Sequence, residues 1–316
     1  MIDSEKTIYE TGVNHFEMVM HVDSKCLRGV MKQHEPMARH TSWRVGGPAD
    51  KYYQAADLDD LAVFLAMQSE DEPITWLGLG SNLLVRDKGI RGTVVAHAGV
   101  LDELSLGQAH RLRVGAGVSC AKVARFAAKS GCSDAEFLIG IPGTVGGALA
   151  MNAGAFGAEM WDIVESVETI NRRGEVLHRA RTEFRIAYRT VSLAQGEWFV
   201  AADLQLQIDH KQSAQKQMRD LLATRAETQP MGEASCGSVF RNPEADHAAR
   251  LIEACSLKGL CIGNACVSEK HANFIINRGG ASADDIERLI LHVQQVVKQR
   301  CDIALQTEVR IIGERC

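Results

Sequence analysis

Two glycine-rich stretches carry the clearest chemistry in this sequence. One is Gly78-Leu79-Gly80-Ser81-Asn82-Leu83-Leu84-Val85, placed directly after the apolar run Ile74-Thr75-Trp76-Leu77. The other is Ile139-Gly140-Ile141-Pro142-Gly143-Thr144-Val145-Gly146-Gly147-Ala148, which continues into Met151-Asn152-Ala153-Gly154-Ala155. Glycine has no Cβ, so it permits positive φ and lets a ligand come close to the backbone. Successive N–H groups in such a loop form a concave nest for an anion, and Pro142 stiffens the second turn. Ser81 and Asn82 can hydrogen-bond a phosphate or cap the local backbone. The plainer alternative is a pair of tight apolar turns with no ligand. A Gly-x-Gly pair alone is a weak signal, and the third glycine of the dinucleotide fingerprint is missing at its required spacing, so a Rossmann domain is not supported.

The elements that must hold these turns can be read from periodicity. Residues 25–33 read as a short helix, and Gly46-Gly47-Pro48 breaks regular structure. A strand is expected over 51–55, then a helix capped by Asp57 and running to 66, with Leu58, Leu61, Phe64 and Leu65 at helical spacing. Strands are expected at 74–77, 94–97 and 112–115. Ser119 is placed to cap a helix to 129 whose apolar face is Val123, Ala124 and Ala127. Period-two alternation marks strands at 163–170 and 198–208, with Asn171-Arg172-Arg173-Gly174 as a hairpin turn into 175–179. From His210 the pattern changes. A polar helix over 211–227, a short helix at 248–254, a strand at 272–277, a helix at 283–298 with the face Ile286, Leu289, Ile290, Val293 and Val297, and a last strand at 309–313 make a smaller α+β lobe.

Composition sets the outer limits. The 316 residues are 46% hydrophobic and 24% charged, ordinary for a globular protein with enough chain for two domains. The formal net charge of -5 gives no electrostatic case for a nucleic-acid partner, so any phosphate must be held by local groups. The nine cysteines are an odd number and include no C-x-x-C pair, which argues against a zinc knuckle or a thioredoxin-like pair; no metal site is expected. Most sit among apolar residues and read as reduced thiols of a cytoplasmic protein. The charged start, Met1-Ile2-Asp3-Ser4-Glu5-Lys6, is unlike a secretory signal, residues 1–24 read as an extension, and no run reaches the length of a membrane-spanning helix.

Taken together, the motifs resemble one family: the flavin-dependent UDP-N-acetylenolpyruvoylglucosamine reductases of peptidoglycan synthesis. The resemblance rests on His40-Thr41-Ser42-Trp43-Arg44-Val45-Gly46-Gly47, the two glycine stretches and Ala187-Tyr188-Arg189. It continues through Cys236-Gly237-Ser238-Val239-Phe240-Arg241-Asn242-Pro243, the run from Val267 to Asn277 and Gln306-Thr307-Glu308-Val309-Arg310. These cover nearly everything from about residue 39 to 313 in family order. The glycine motifs occur in many flavoproteins, whereas the C-terminal set is specific to this one.

The resemblance implies an α+β fold: a vanillyl-alcohol-oxidase-type FAD-binding region of two sublobes over 25–210, and a C-terminal substrate lobe over 211–316. The short link from Arg189 to Trp198 is similar to the form of the family that lacks an extra tyrosine-bearing loop, and Ala187 stands where the family usually has glycine. The implied reaction passes a hydride from NADPH through noncovalent FAD to the enolpyruvyl ether of a UDP-sugar. Arg189, a permanent cation with a planar fork, would meet the substrate carboxylate. Glu308 would hydrogen-bond or orient that array, and Ser238 would protonate the resulting carbanion. FAD would be held by Gly78, Gly80, Ser81, Asn82, Leu83, Ile141, Pro142, Gly143, Thr144, Gly146, Gly147, Asn152 and Gly154. Tyr188, Arg225 and Asn242 would serve the nucleotide and sugar, and His271 reads as a structural histidine. The protein is expected to act as a monomer with no membrane or nucleic-acid partner. The alternatives are another flavoprotein of the same fold, such as an alcohol or sugar oxidase, which has no need of Tyr188, Arg189, Ser238 and Glu308, or a non-catalytic nucleotide-binding module.

Overall fold

Apolar runs of alternating and continuous type build two different sheets, described over residues 27–210 and 212–315 of a computed structural model. The first sheet has four strands in the order Val30–Pro36, Pro48–Gln54, Ile90–Ala96, Ile74–Leu77. Its last three strands are parallel and its edge strand is antiparallel. Neighbouring Val94 and Val95 on Ile90–Ala96 are both fully buried, as a parallel strand covered on both faces requires. One cover is the helix Leu58–Ala66, where the Asp57 side chain accepts from the Asp60 N–H at 2.9 Å and Leu61, Phe64 and Leu65 face the sheet.

The expected helix over 25–33 is not formed. Residues 25 and 26 lie outside the described residues, and Val30–Pro36 is a strand whose register runs from Val30 opposite Gln54 to Pro36 opposite Pro48. All but one of its side chains are exposed, so no apolar face marks it in the sequence. Ladder bonds to a neighbour nearly twenty residues away decide the conformation, a tertiary choice that local propensity does not reveal.

The second sheet is wholly antiparallel, in the order Val176–Ala180, Val164–Asn171, Glu197–Gln205, Arg111–Gly115, Leu104–Leu106. The helix Cys120–Lys129, capped by Ser119, lays Val123, Ala124 and Ala127 into its core beside Leu112, Val114 and Leu138. The expected turn at 171–174 forms: Asn171 Oδ1 accepts from the Arg173 and Glu175 N–H groups. Gly174 there has φ +76°, and a Cβ would lie 2.2 Å from the Ala62 carbonyl oxygen, so the turn also docks on the first sublobe.

The C-terminal core forms around the helix Ala283–Cys301, whose Ile286, Leu289, Ile290, Val293 and Val297 are buried and whose start carries a Ser282–Asp285 capping box. It packs against the helix Ala248–Ala254 and a three-stranded sheet of Cys261–Ile262, Ala265–Val267 and Ile275–Asn277. This core borrows from the first lobe. Trp43 is fully buried in it, donates from Nε1 to the Ile275 carbonyl oxygen at 2.7 Å, and sits with Val45 and Leu84. In return, the strand Arg310–Ile312 pairs in parallel with Leu83–Val85. The helix Ala214–Thr228 runs between the lobes and places Met218 in the core of the second sublobe.

One cysteine expectation is corrected. Cys261 and Cys266 form a disulfide across the hairpin that joins Cys261–Ile262 to Ala265–Val267. The two residues are directly opposed in register, which brings their side chains together. Cys120, Cys132, Cys236, Cys255 and Cys301 are free thiols.

Candidate active site

A cavity of about 890 Å³ opens where the three lobes meet. The strand Ile74–Leu77 leads into the first glycine turn. Gly80 has φ +60°, and a Cβ there would lie 1.9 Å from the His40 carbonyl oxygen; Ser42 N–H donates to the Gly80 carbonyl at 3.1 Å. The second turn ends at Thr144, whose hydroxyl accepts from the Gly147 N–H at 3.3 Å and lies 3.2 Å from His97 Nε2. A Cβ on Gly78 would stand 2.6 Å from Thr144 Oγ1, and one on Gly146 2.9 Å from the Ala116 Cβ. Gly78 therefore lets the first turn close on Thr144 of the second, and Gly146 lets the second turn pack against Ala116 and His97.

The structure brings together nearly all the residues singled out above. Gly78, Gly80, Ser81, Asn82 and Leu83 line the cavity with Ile141, Pro142, Gly143, Thr144, Gly146, Gly147 and Gly154. Tyr188, Arg189, Arg225, Ser238, Asn242 and Glu308 line it too. Asn152 is the exception: it does not line the cavity. Its side chain is turned into the protein, where Nδ2 donates to Glu159 Oε2 at 2.6 Å and to the Ala187 carbonyl at 3.4 Å while Oδ1 accepts from the Trp161 N–H at 3.1 Å.

Arg189 sits in the loop of the small hairpin between Ile186–Ala187 and Thr190–Val191, in the left-handed region at φ +54°. Its Nε donates to Glu308 Oε1 at 3.2 Å, and its Nη atoms donate to the Asn152 and Gly154 carbonyl oxygens at 3.3 and 3.0 Å. The Tyr188 ring centroid is 4.9 Å from its Cζ. Glu308 is largely buried, which pushes its carboxyl pKa up, while Arg189 and Arg241 pull it back. Ser238 follows Gly237 (φ +71°) and precedes Val239 and Phe240, whose N–H groups are held by the main-chain and side-chain oxygens of Asn273. Arg225 donates to Gln229 Oε1 at 2.8 Å, and burial lowers its pKa. Asn242 Oδ1 accepts from the Ala248 N–H at 3.0 Å and so caps a helix as well as facing the cavity. His271 Nδ1 accepts from the Asn273 N–H at 3.3 Å, the structural role expected of it. The thiol of Cys236 hydrogen-bonds to the Gly80 and Leu83 carbonyls, and burial pushes its pKa up to about 12, so it stays protonated.

Periodicity alone did not point to the wall beyond the first turn. Trp76 stacks on Trp198 at 5.2 Å and on His97 at 5.4 Å, and all three line the cavity. Trp76 Nε1 and His97 Nδ1 are buried with no hydrogen-bond partner in the protein. Burial pushes His97 down to about 4, so its ring is neutral. Flat rings, orphaned ring nitrogens and two glycine turns in one cavity fit FAD, which carries an aromatic heterocycle at each end of a pyrophosphate. Among the described residues, no cluster of His, Cys, Asp and Glu is placed to hold a metal ion, and no helix is long and apolar enough to cross a membrane.

Comparison with known proteins agrees with this geometry. Residues 49–179 match the FAD binding domain family, and residues 229–312 match the UDP-N-acetylenolpyruvoylglucosamine reductase C-terminal domain. The UDP-N-acetylenolpyruvoylglucosamine reductase of Methylococcus capsulatus is 55% identical over 91% of this chain and 94% of its own. That of Legionella pneumophila strain Paris is 54% identical over 91% of this chain and 95% of its own. The crystal structure of UDP-N-acetylenolpyruvylglucosamine reductase from Thermus caldophilus superposes with a TM-score of 0.78 at 32% identity, covering 91% of this chain and 100% of that one. Fold and cavity thus define an FAD-dependent oxidoreductase of the vanillyl-alcohol-oxidase type. Within that class, the chain belongs to the UDP-N-acetylenolpyruvoylglucosamine reductase family.

Proposed function

We propose that this protein reduces the enolpyruvyl ether of UDP-N-acetylglucosamine to UDP-N-acetylmuramate, with NADPH as the hydride donor, in the synthesis of peptidoglycan precursors. The observation that carries this reading is the meeting of Arg189 and Glu308 at 3.2 Å, across 119 residues of sequence, in a cavity that Ser238 also lines. An oxidase of alcohols has no use for a fixed guanidinium, a buried carboxyl and a hydroxyl converging beside a flavin site.

The two glycine turns that line the cavity would hold FAD, which when bound would supply the hydride chemistry at the outer carbon of the enolpyruvyl group. The chain's own residues manage the charge that results. Hydride addition drives an electron pair toward the substrate carboxylate, and Arg189 holds that carboxylate with donors fixed by main-chain carbonyls before substrate arrives. Glu308, whose carboxyl pKa burial raises against the pull of Arg189, shares a hydrogen bond with the same array. Ser238 then delivers its proton to the inner carbon, where a strongly basic carbanion makes a hydroxyl an adequate acid. Tyr188, Arg225 and Asn242 line the same cavity, which supports their reading as the residues that take the sugar and the diphosphate.

The proposed division is a cofactor region to residue 210 and a substrate lobe beyond it, supported by a core built mainly of C-terminal residues around the helix Ala283–Cys301, into which the first lobe adds Trp43, Val45 and Leu84. The NADPH and nucleotide-sugar reading supports a cytoplasmic site. The test is NADPH consumption that depends on the enolpyruvyl UDP-sugar, with UDP-N-acetylmuramate identified by mass. Oxidation of NADPH that is indifferent to the sugar would refute the reading.

A further inference from the structure

We propose that Glu159 is a positioning residue for the reduction described above: it fixes the guanidinium of Arg189 so that one edge of it stays free for the substrate carboxylate. The inference rests on that reading of the reaction. Glu159 Oε1 lies 3.6 Å from Arg189 Nη1, and Glu159 Oε2 accepts from Asn152 Nδ2 at 2.6 Å. Asn152 is itself buried at the C-terminal end of the helix Val145–Met151 in the left-handed conformation, tied through Oδ1 to the Trp161 N–H. Its Nδ2 also reaches the carbonyl of Ala187, two residues before Arg189. One buried amide therefore holds both the hairpin that carries Arg189 and the carboxylate that faces it.

Gly154 lies where these side chains cross. It is paired directly with Glu159 in the short ladder Gly154–Ala155 with Ala158–Glu159. A Cβ on Gly154 would lie 3.0 Å from Arg189 Nη1, 3.0 Å from Glu159 Cγ and 2.8 Å from the Ala158 carbonyl oxygen. The chain has no side chain at 154 because the guanidinium and Glu159 occupy that space.

The donor count shows what the arrangement achieves. A guanidinium has five N–H bonds. Nε points one at Glu308, and Nη1 and Nη2 each give one to a main-chain carbonyl. One N–H remains on each Nη, available to a substrate carboxylate. Glu159 at 3.6 Å balances the charge near Nη1 without accepting a hydrogen bond from it. Without Glu159, Glu308 would be the one acidic side chain within ion-pairing distance of Arg189 among the described residues. The guanidinium would then turn toward Glu308 and lose its readiness for substrate.

The test follows the two half-reactions separately, under anaerobic conditions, in the flavin-loaded wild type and in Glu159→Gln and Glu159→Asp. Flavin reduction by NADPH is expected to stay near the wild-type rate in both variants. Reoxidation by the enolpyruvyl UDP-sugar is expected to fall on the order of tenfold in Glu159→Gln, in the limiting rate at saturating sugar, because misplaced reacting groups slow the chemical step. Glu159→Asp, which keeps the charge, is expected to recover part of that loss. Unchanged reoxidation in Glu159→Gln, or equal slowing of both halves, would overturn the proposal. A wild type that the sugar fails to reoxidise would overturn the functional reading and the proposal with it.

Discussion

The side-chain amide of Asn82 donates to the main-chain carbonyl of Glu308 at 3.0 Å, across 226 residues of sequence. Arg310 N–H returns a bond to the Asn82 carbonyl at 3.1 Å, at the start of the strand Arg310–Ile312. The first glycine turn and the carboxyl of the candidate site are therefore one mechanical unit. Asn82→Ala is expected to cost about 1–2 kcal/mol of stability for the lost bond and the acceptor left behind. It should also weaken FAD retention and slow turnover together. Fluorescence of FAD released on dialysis measures the first effect and steady-state kinetics the second. Full retention of both would show that the turn and the carboxyl are independent.

Ser238→Ala separates proton delivery from hydride uptake. Flavin reduction by NADPH should survive, and reoxidation by the sugar should fall by about a hundredfold or more, the usual scale for losing a general acid. Rapid-mixing absorbance of each half-reaction decides. Equal loss in both halves would make Ser238 a structural residue of the Gly237 turn.

His97 gives the fold a pH dependence of definite sign. Its pKa falls from 6.5 to about 4 because the ring is buried. Between those values the unfolded chain binds a proton that the folded chain refuses, so stability is full above about 6.5 and is lost as the pH falls toward 4. The contribution is on the order of 3 kcal/mol, at roughly 1.4 kcal/mol for each pH unit. Urea midpoints at several pH values should show this slope in the wild type and a shallower one in His97→Gln. Parallel slopes would contradict the assignment.

Trp43 is the buried tie between the first lobe and the C-terminal core. Trp43→Ala is expected to cost about 3–5 kcal/mol, the range for a large aromatic side chain removed from a core. Calorimetry should show the C-terminal core melting at lower temperature. A change below about 1 kcal/mol would mean that the lobes do not share this core.

How much of this was legible in the sequence depends on the range of each interaction. The glycine turns and the caps Asp57 and Ser119 are local signals, and they sit where glycine, proline and short polar side chains place them. The helix Ala283–Cys301 shows its face through simple periodicity. The strand Val30–Pro36 stayed hidden because it is an exposed edge held by a distant ladder. Gly263-Asn264 between Cys261 and Cys266 is a hairpin signal that points to their pairing, whereas the apolar neighbours of the cysteines favoured free thiols. Arg189 and Glu308 became conspicuous only through family resemblance, since nothing local links residues so far apart. Asn152 stands in a stretch that the family resemblance assigns to the cofactor, and nothing local announces that its side chain serves Glu159 and the Arg189 hairpin.

The most direct measurement of the central claim is the anaerobic visible spectrum of the purified, flavin-loaded protein. NADPH should bleach the flavin bands, and one equivalent of the enolpyruvyl UDP-sugar should restore them as UDP-N-acetylmuramate forms. Flavin that NADPH cannot bleach, or that stays bleached after the sugar is added, would contradict the account.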